Sequence, residues 1–248
     1  MRDLTGRSAL VTGGAGGIGA ACARELAARG ALVTVADIDG VGAKKLAHEI
    51  GGKAWAVDLL DVGALQELRL ETDILVNNAG VQNVSPIEEF PPEQFRGMLT
   101  LMVEAPFLLV RAALPHMYAR GFGRIVNISS VHGIRASRYK VAYVTAKHAL
   151  EGLSKVTAVE GGPHGVTSNC VNPGYVRTPL VDKQITDQAR AHGIPEQQVL
   201  EQVLLTESAV KRLIEPHEVA SLVAWLTSEP AGMVTGASYS MDGGWSAR

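Results

Sequence analysis

Residues 10–26 read LVTGGAGGIGAACAREL, an apolar β-prone run joined to an amphipathic segment by a turn that holds five glycines. The run fits a strand, and the segment that follows, closing at Gly30, fits a helix. Glycine is needed between them because the turn is tight and its backbone must come close to a pyrophosphate. The helix N-terminus behind it offers free N–H groups and the positive end of a dipole. Thr12, Gly13, Gly17, Ile18 and Gly19 are therefore candidate phosphate-side residues. About twenty residues on, VTVAD ends at Asp37, whose carboxylate can accept from both adenosine ribose hydroxyls and would repel a 2′-phosphate. No Arg or Lys stands in the glycine turn or just after Asp37, so NAD is favoured over NADP. Asp37 could instead cap the helix beginning near Val41, but Asp39 is better placed for that.

The rest of the chain keeps this rhythm. Strand candidates are SALVTG (8–13), ALVTVAD (31–37), AWAVDL (54–59), DILVNNAG (73–80), RIVNISS (124–130), VTSNCVNPG (166–174) and ASYSMDGG (237–244). Several are continuous apolar runs, as expected of parallel strands covered on both faces. The β-α order predicts an α/β fold: a Rossmann-like, doubly wound parallel sheet of about seven strands with helices on both faces. No linker divides residues 1–248, so one dinucleotide-binding and catalytic domain is expected. The polar, helix-prone stretch 180–215 lies between the sixth and seventh strands. There it is placed to cover a ligand as a lid, the alternative being a surface hairpin without a role.

The chain has 248 residues, 46% of them hydrophobic, and a formal charge of −2, which gives no reason to expect nucleic acid or an anionic membrane as partner. No apolar run reaches the roughly 20 residues that span a bilayer. Cys22 and Cys170 read as reduced core residues, no metal-ligand set is expected, and the cytoplasm is the expected location.

Along the carboxyl edge of the sheet fall Asp58 with Leu59, and the NNAG run that contains Asn77, Asn78 and Gly80. The two asparagines are equally suited to stitching strands and to touching a cofactor. In YVTAK, Tyr143 and Lys147 stand four residues apart, about 6 Å along one helix face. An ammonium there favours the phenolate, and the ring of bound NAD⁺ would add to the effect. Moving the phenol from ~10 to ~7 takes about 4 kcal/mol. The phenolate could then take a proton from a substrate hydroxyl while Ser130, thirteen positions earlier, hydrogen-bonds the same oxygen.

TGGAGGIG, NNAG, the Ser130–Tyr143–Lys147 set and NPGYVRTP together resemble the short-chain dehydrogenase/reductase family over the whole chain. The resemblance implies that Ser130 orients substrate, Tyr143 is the acid/base and Lys147 binds the nicotinamide ribose. It also implies cofactor contacts at Pro173, Val176 and Thr178. One departure stands out: where the family carries an asparagine in its long fourth helix, LMVEAPF places Met102. A thioether cannot hold the water of a proton relay as an amide does. Another relay, slower turnover and lost turnover all remain open.

Gln82, His132, Lys140 and Gln184 would converge on the cleft if 180–215 folds over it, and such a set suits a small carboxylate. The pattern, with SSVHGIRASRYKVAYVTAKHA and the final DGGWSAR, is similar to the family's D-3-hydroxybutyrate dehydrogenases. That resemblance implies NAD-dependent interconversion of (R)-3-hydroxybutyrate and acetoacetate in a homotetramer packed through the fourth and fifth helices. The alternatives are a dehydrogenase of another hydroxy acid or secondary alcohol, and a non-catalytic NAD-binding sensor or assembly partner.

Overall fold

A computed structural model describes residues 3–179, 181, 182, 185, 186, 189 and 193–247. The glycine turn leads from β1 (Ser8–Thr12) into α1 (Gly17–Ala28). Gly30, at φ 99°, follows the end of α1 in a conformation that side chains resist. β2 (Leu32–Asp37), α2 (Gly40–Ile50) and β3 (Lys53–Ala56) complete the first half. Asp39 caps α2, its Oδ1 accepting from Val41 N and Gly42 N, so Asp37 is free of that duty.

After α3 (Val62–Leu65) and β4 (Ile74–Asn77) comes a long helical stretch: α4 (Pro92–Leu99), a π-helical turn at Thr100–Glu104, and α5 (Ala105–Arg120). Because these join end to end, Pro92–Arg120 forms 29 helical residues that contain an 18-residue window of mean hydropathy 1.6, long and apolar enough to cross a membrane. The sequence reading found no apolar run of about 20 residues, and Arg96, Glu104 and Arg111 do fall within this helix. Half of that apolar window is buried within the protein, and α5 packs its Leu109, Ala113 and Met117 against sheet residues Leu10, Leu75 and Ile125.

β5 (Gly123–Ile128), α6 (Val141–Gly161), β6 (Val166–Pro173), α7 (Glu196–Val199), α8 (Pro216–Leu226) and β7 (Ser238–Met241) finish the order. Among the described residues the seven predicted strands form one parallel sheet in the order β3-β2-β1-β4-β5-β6-β7. Successive β1 residues serve opposite faces: Ala9 and Val11 meet α1, α2 and α8, while Leu10 meets α5. The strand order reverses between β1 and β4, and at such a switch point the loops diverge and leave a crevice at the carboxyl edge. Cys22 and Cys170 are buried free thiols, as expected.

Candidate active site

A cleft of about 790 Å³ opens at this edge. Its cofactor half begins at the glycine turn. Gly13 and Gly17 have φ of +60° and +52°, and a Cβ on Gly19 would overlap the Gly13 carbonyl oxygen. Among the described residues a Cβ on Gly16 would meet nothing within 4 Å and no side chain caps α1, so this N-terminus is open to an anion. Gly13 and Ile18 line the cleft; Thr12 is buried behind it, and Gly17 and Gly19 shape the turn. Thr12 Oγ1 accepts from Asn78 N at 3.0 Å and Ala79 N at 3.1 Å, clasping β1 to the end of β4.

Asn78 Nδ2 donates to the Thr12 and Gly13 carbonyls, at 2.9 and 3.0 Å. Asn77 Nδ2 donates to Asn127 Oδ1 across β4 and β5. Both asparagines thus stitch strands, and Asn78 also lines the cleft, together with Asp58, Leu59 and Gly80. Asp37 faces the cleft as well, with Oδ2 accepting from Ala15 N and Oδ1 from Asp39 N. The cradle and the acid at its edge fit the pyrophosphate and ribose of a nicotinamide dinucleotide.

The catalytic half is built by β5, α6 and β6. Ser130 follows β5, its Oγ accepting from His132 N at 3.2 Å. Tyr143 and Lys147 lie one turn apart on α6 and line the cleft with Ser130, Pro173, Val176 and Thr178. Lys147 Nζ donates to Ile128 O at 2.7 Å and stands 5.5 Å from the Tyr143 ring centre. Burial pulls the Lys147 pKa down to about 8. The expected lowering of the Tyr143 pKa is not what this structure has. Burial raises it, and the group that opposes burial is the Ser130 hydroxyl, not the Lys147 ammonium.

Beside the reacting side chains, Lys140 Nζ lies 3.0 Å from His132 Nε2. An ammonium only donates, so Nε2 accepts and Nδ1 carries the imidazole proton. Burial first, then the charge of Lys140, brings the His132 pKa down to about 4, so the ring is neutral at pH 7. Its Nδ1 is buried without a partner among the described residues. Burial also lowers the Lys140 pKa. Gln82 lines the same cleft; Gln184 lies outside the described residues.

Val181, Leu204, Thr206 and Ser208 line the cleft, and Ile185, Val199, Leu205 and Leu213 form a small core against Tyr175. Tyr175 and Trp245 are cleft residues that the sequence reading did not single out. Lys140 Nζ stands 5.8 Å from the Tyr175 ring centre, and Trp245 meets His132 edge to face at 5.2 Å. Each lies in a segment that carries the family resemblance, NPGYVRTP and DGGWSAR. Met102, 1% exposed, sits in the π-helical turn and packs with Phe90, Met98, Ala142, Ala146 and Tyr143.

Taken together, a dinucleotide cradle ends where a phenol, a hydroxyl and two ammonium groups converge, an arrangement suited to moving a proton as a hydride moves. The family profile described as Enoyl-(Acyl carrier protein) reductase matches residues 13–246. The chain is 43% identical to a D-beta-hydroxybutyrate dehydrogenase of Rhizobium meliloti (strain 1021), over 98% of this chain and 99% of that one. It is 39% identical to the D-beta-hydroxybutyrate dehydrogenase of Cupriavidus necator, over 99% and 100%. A crystal structure of a candidate NAD(P)-dependent gluconate 5-dehydrogenase from Beutenbergia cavernae, with NADP bound at low occupancy, superposes with a TM-score of 0.86. The two are 34% identical, with 100% of this chain and 99% of that one covered.

Proposed function

Because this chain belongs to the short-chain dehydrogenase/reductase family, we propose that it interconverts (R)-3-hydroxybutyrate and acetoacetate with NAD as hydride carrier. The observation that carries the substrate is the Lys140–His132 pair beside Ser130 and Tyr143. A half-buried ammonium held by a neutral imidazole is a seat for one carboxylate, and the phenol nearby serves a hydroxyl or ketone a few bonds away.

When bound, the nicotinamide ring accepts or supplies the hydride. The residues assigned to holding the dinucleotide are Gly13, Ile18 and the N-terminus of α1 at the pyrophosphate, Asp37 at the adenosine ribose and Lys147 at the nicotinamide ribose. Asp37 supports NAD over NADP because its carboxylate would repel a 2′-phosphate. Asp58, Leu59, Asn78, Gly80, Pro173, Val176 and Thr178 complete that wall.

In reduction the neutral phenol of Tyr143, favoured by burial, gives its proton to the ketone oxygen, and Ser130 steadies that oxygen as its charge grows. In oxidation the same oxygen must start as phenolate, so the oxidative rate rises with pH. Exposed Phe107 on α5 and Val156 and Val159 on α6 support assembly into a homotetramer through these helices.

NADH absorbance with NAD⁺ or NADP⁺ against short 3-hydroxy acids and simple secondary alcohols tests this reading. Turnover of 3-hydroxybutyrate is expected, with NAD⁺ preferred. Replacing Lys140 by Met is expected to raise KM for the acid about ten- to hundred-fold while NAD binding is kept. Unchanged KM in that variant removes the substrate assignment. A second reading, NAD binding without turnover, rests on apolar Met102 at the family's relay position; calorimetric NADH binding with no turnover of any substrate in the panel would favour it.

A further inference from the structure

One buried acid has no part in the chemistry described so far. Glu151 lies on α6 one turn beyond Lys147 and two beyond Tyr143, so the three share a helix face at intervals of about 6 Å. Glu151 is 5% exposed and Lys147 4%, and carboxylates are rarely buried so deeply unless paired. Neutral donors hold its oxygens: Asn172 Nδ2 at 2.6 Å, from β6, and Ser238 Oγ at 2.5 Å, from β7. Asn172 Nδ2 also donates to Ser130 O at 3.0 Å, which ties the carboxylate to the backbone of a catalytic residue. A Cβ on Gly133 would come within 2.9 Å of Glu151 Oε1, so the turn carrying His132 closes over the carboxylate.

Lys147 has the opposite problem. Its ammonium donates to the Ile128 carbonyl, while Met102 fills the family's relay position with a weak acceptor at best. We propose that Glu151 is the counter-charge that keeps Lys147 ionised inside the protein, a positioning residue that acts through Lys147. The proposal rests on the reading of Lys147 as the residue that holds the nicotinamide ribose.

The other titratable groups facing this pair leave it as the charged couple. On α6 these are Tyr143, whose phenol burial keeps neutral, and Lys155, exposed one turn further on. From β6 comes Cys170, its thiol pushed up by burial and then by the Glu151 charge, hence neutral. From the turn after β5 comes His132, neutral at pH 7 and beside Tyr143. Burial lowers the Lys147 pKa, while Cys170 and Glu151 act in the opposite direction.

The test is lysine 13Cε NMR across pH on the full chain without cofactor, with the Lys147 signal assigned through Lys147→Met. Glu151→Gln is expected to lower the Lys147 midpoint by about one pH unit. Glu151→Asp should restore most of it, and the alkaline limb of turnover should follow the same order. An unmoved midpoint in the Gln variant, or equal shifts in the Gln and Asp variants, overturns the proposal. If the Gln variant does not fold, Ser238→Lys decides, because position 238 is exposed and a cation there neutralises Glu151 from outside. A lowered Lys147 midpoint supports the counter-charge and an unmoved one overturns it. The titration needs no turnover, so an enzyme inactive on every hydroxy acid defeats the functional reading while this measurement still stands.

Discussion

The two halves of the cleft treat their polar groups differently. On the cofactor side, Thr12, Asp37 and Asn78 spend their side chains on backbone partners within the glycine turn and its neighbours. On the catalytic side, buried Lys147 and half-buried Lys140 are cations held by neutral acceptors, and the His132 Nδ1 proton has no partner among the described residues. The first arrangement makes a rigid cradle. The second leaves bonding capacity for a substrate and costs stability, since buried polar groups without partners are expensive. Shape is supplied by saturated groups and chemistry by unsaturated ones.

The largest expected effect breaks the catalytic half alone. Tyr143→Phe removes one oxygen and should cost about 10²- to 10⁴-fold in turnover, while NADH binding measured by calorimetry stays near the parent value. A variant retaining turnover would mean that another group carries the proton.

The contrast sharpens with pH. The His132 imidazole takes up its proton near pH 6.5 in the unfolded chain but only at about 4 in the folded protein. Between those values the unfolded chain binds more protons, so stability falls as the solution is acidified from 6.5 to 4, by about 3 kcal/mol from this group. Chemical denaturation of His132→Asn over that range should show a correspondingly smaller acid loss. An identical slope would mean that the ring is not held neutral.

The smallest effect belongs to the cradle. Thr12→Val keeps the shape but leaves the Asn78 and Ala79 amides without their shared acceptor, at a cost of about 1–3 kcal/mol. A lower Tm with turnover per folded molecule unchanged is expected. A large loss of turnover in folded protein would place Thr12 in contact with the cofactor instead of behind it.

Much of this was legible in the chain. Local patterns carried the seven strands, because a strand buried on both faces needs an apolar run and each run is bounded by its own turn residues. The Tyr143–Lys147 spacing and the Asp39 cap were readable for the same reason, since both depend on one helix and its start. Less readable was the junction of α4 and α5, where a π-helical turn at Thr100–Glu104 joins the two into one stretch. Tyr175 and Trp245 escaped notice because a lone aromatic in a turn has no period to betray its direction.

Periodicity, glycine placement and the order of strands and helices come from bonds between near neighbours, so the amino-acid order determined the doubly wound sheet and the places of its strands. Charge state is different. Whether Tyr143 is a phenol or a phenolate, whether His132 is neutral, and what answers the Lys147 ammonium depend on burial and on side chains tens of residues away, such as Asn172 and Ser238 around Glu151. Solvation is a property of the packed interior, and only the tertiary structure decided it.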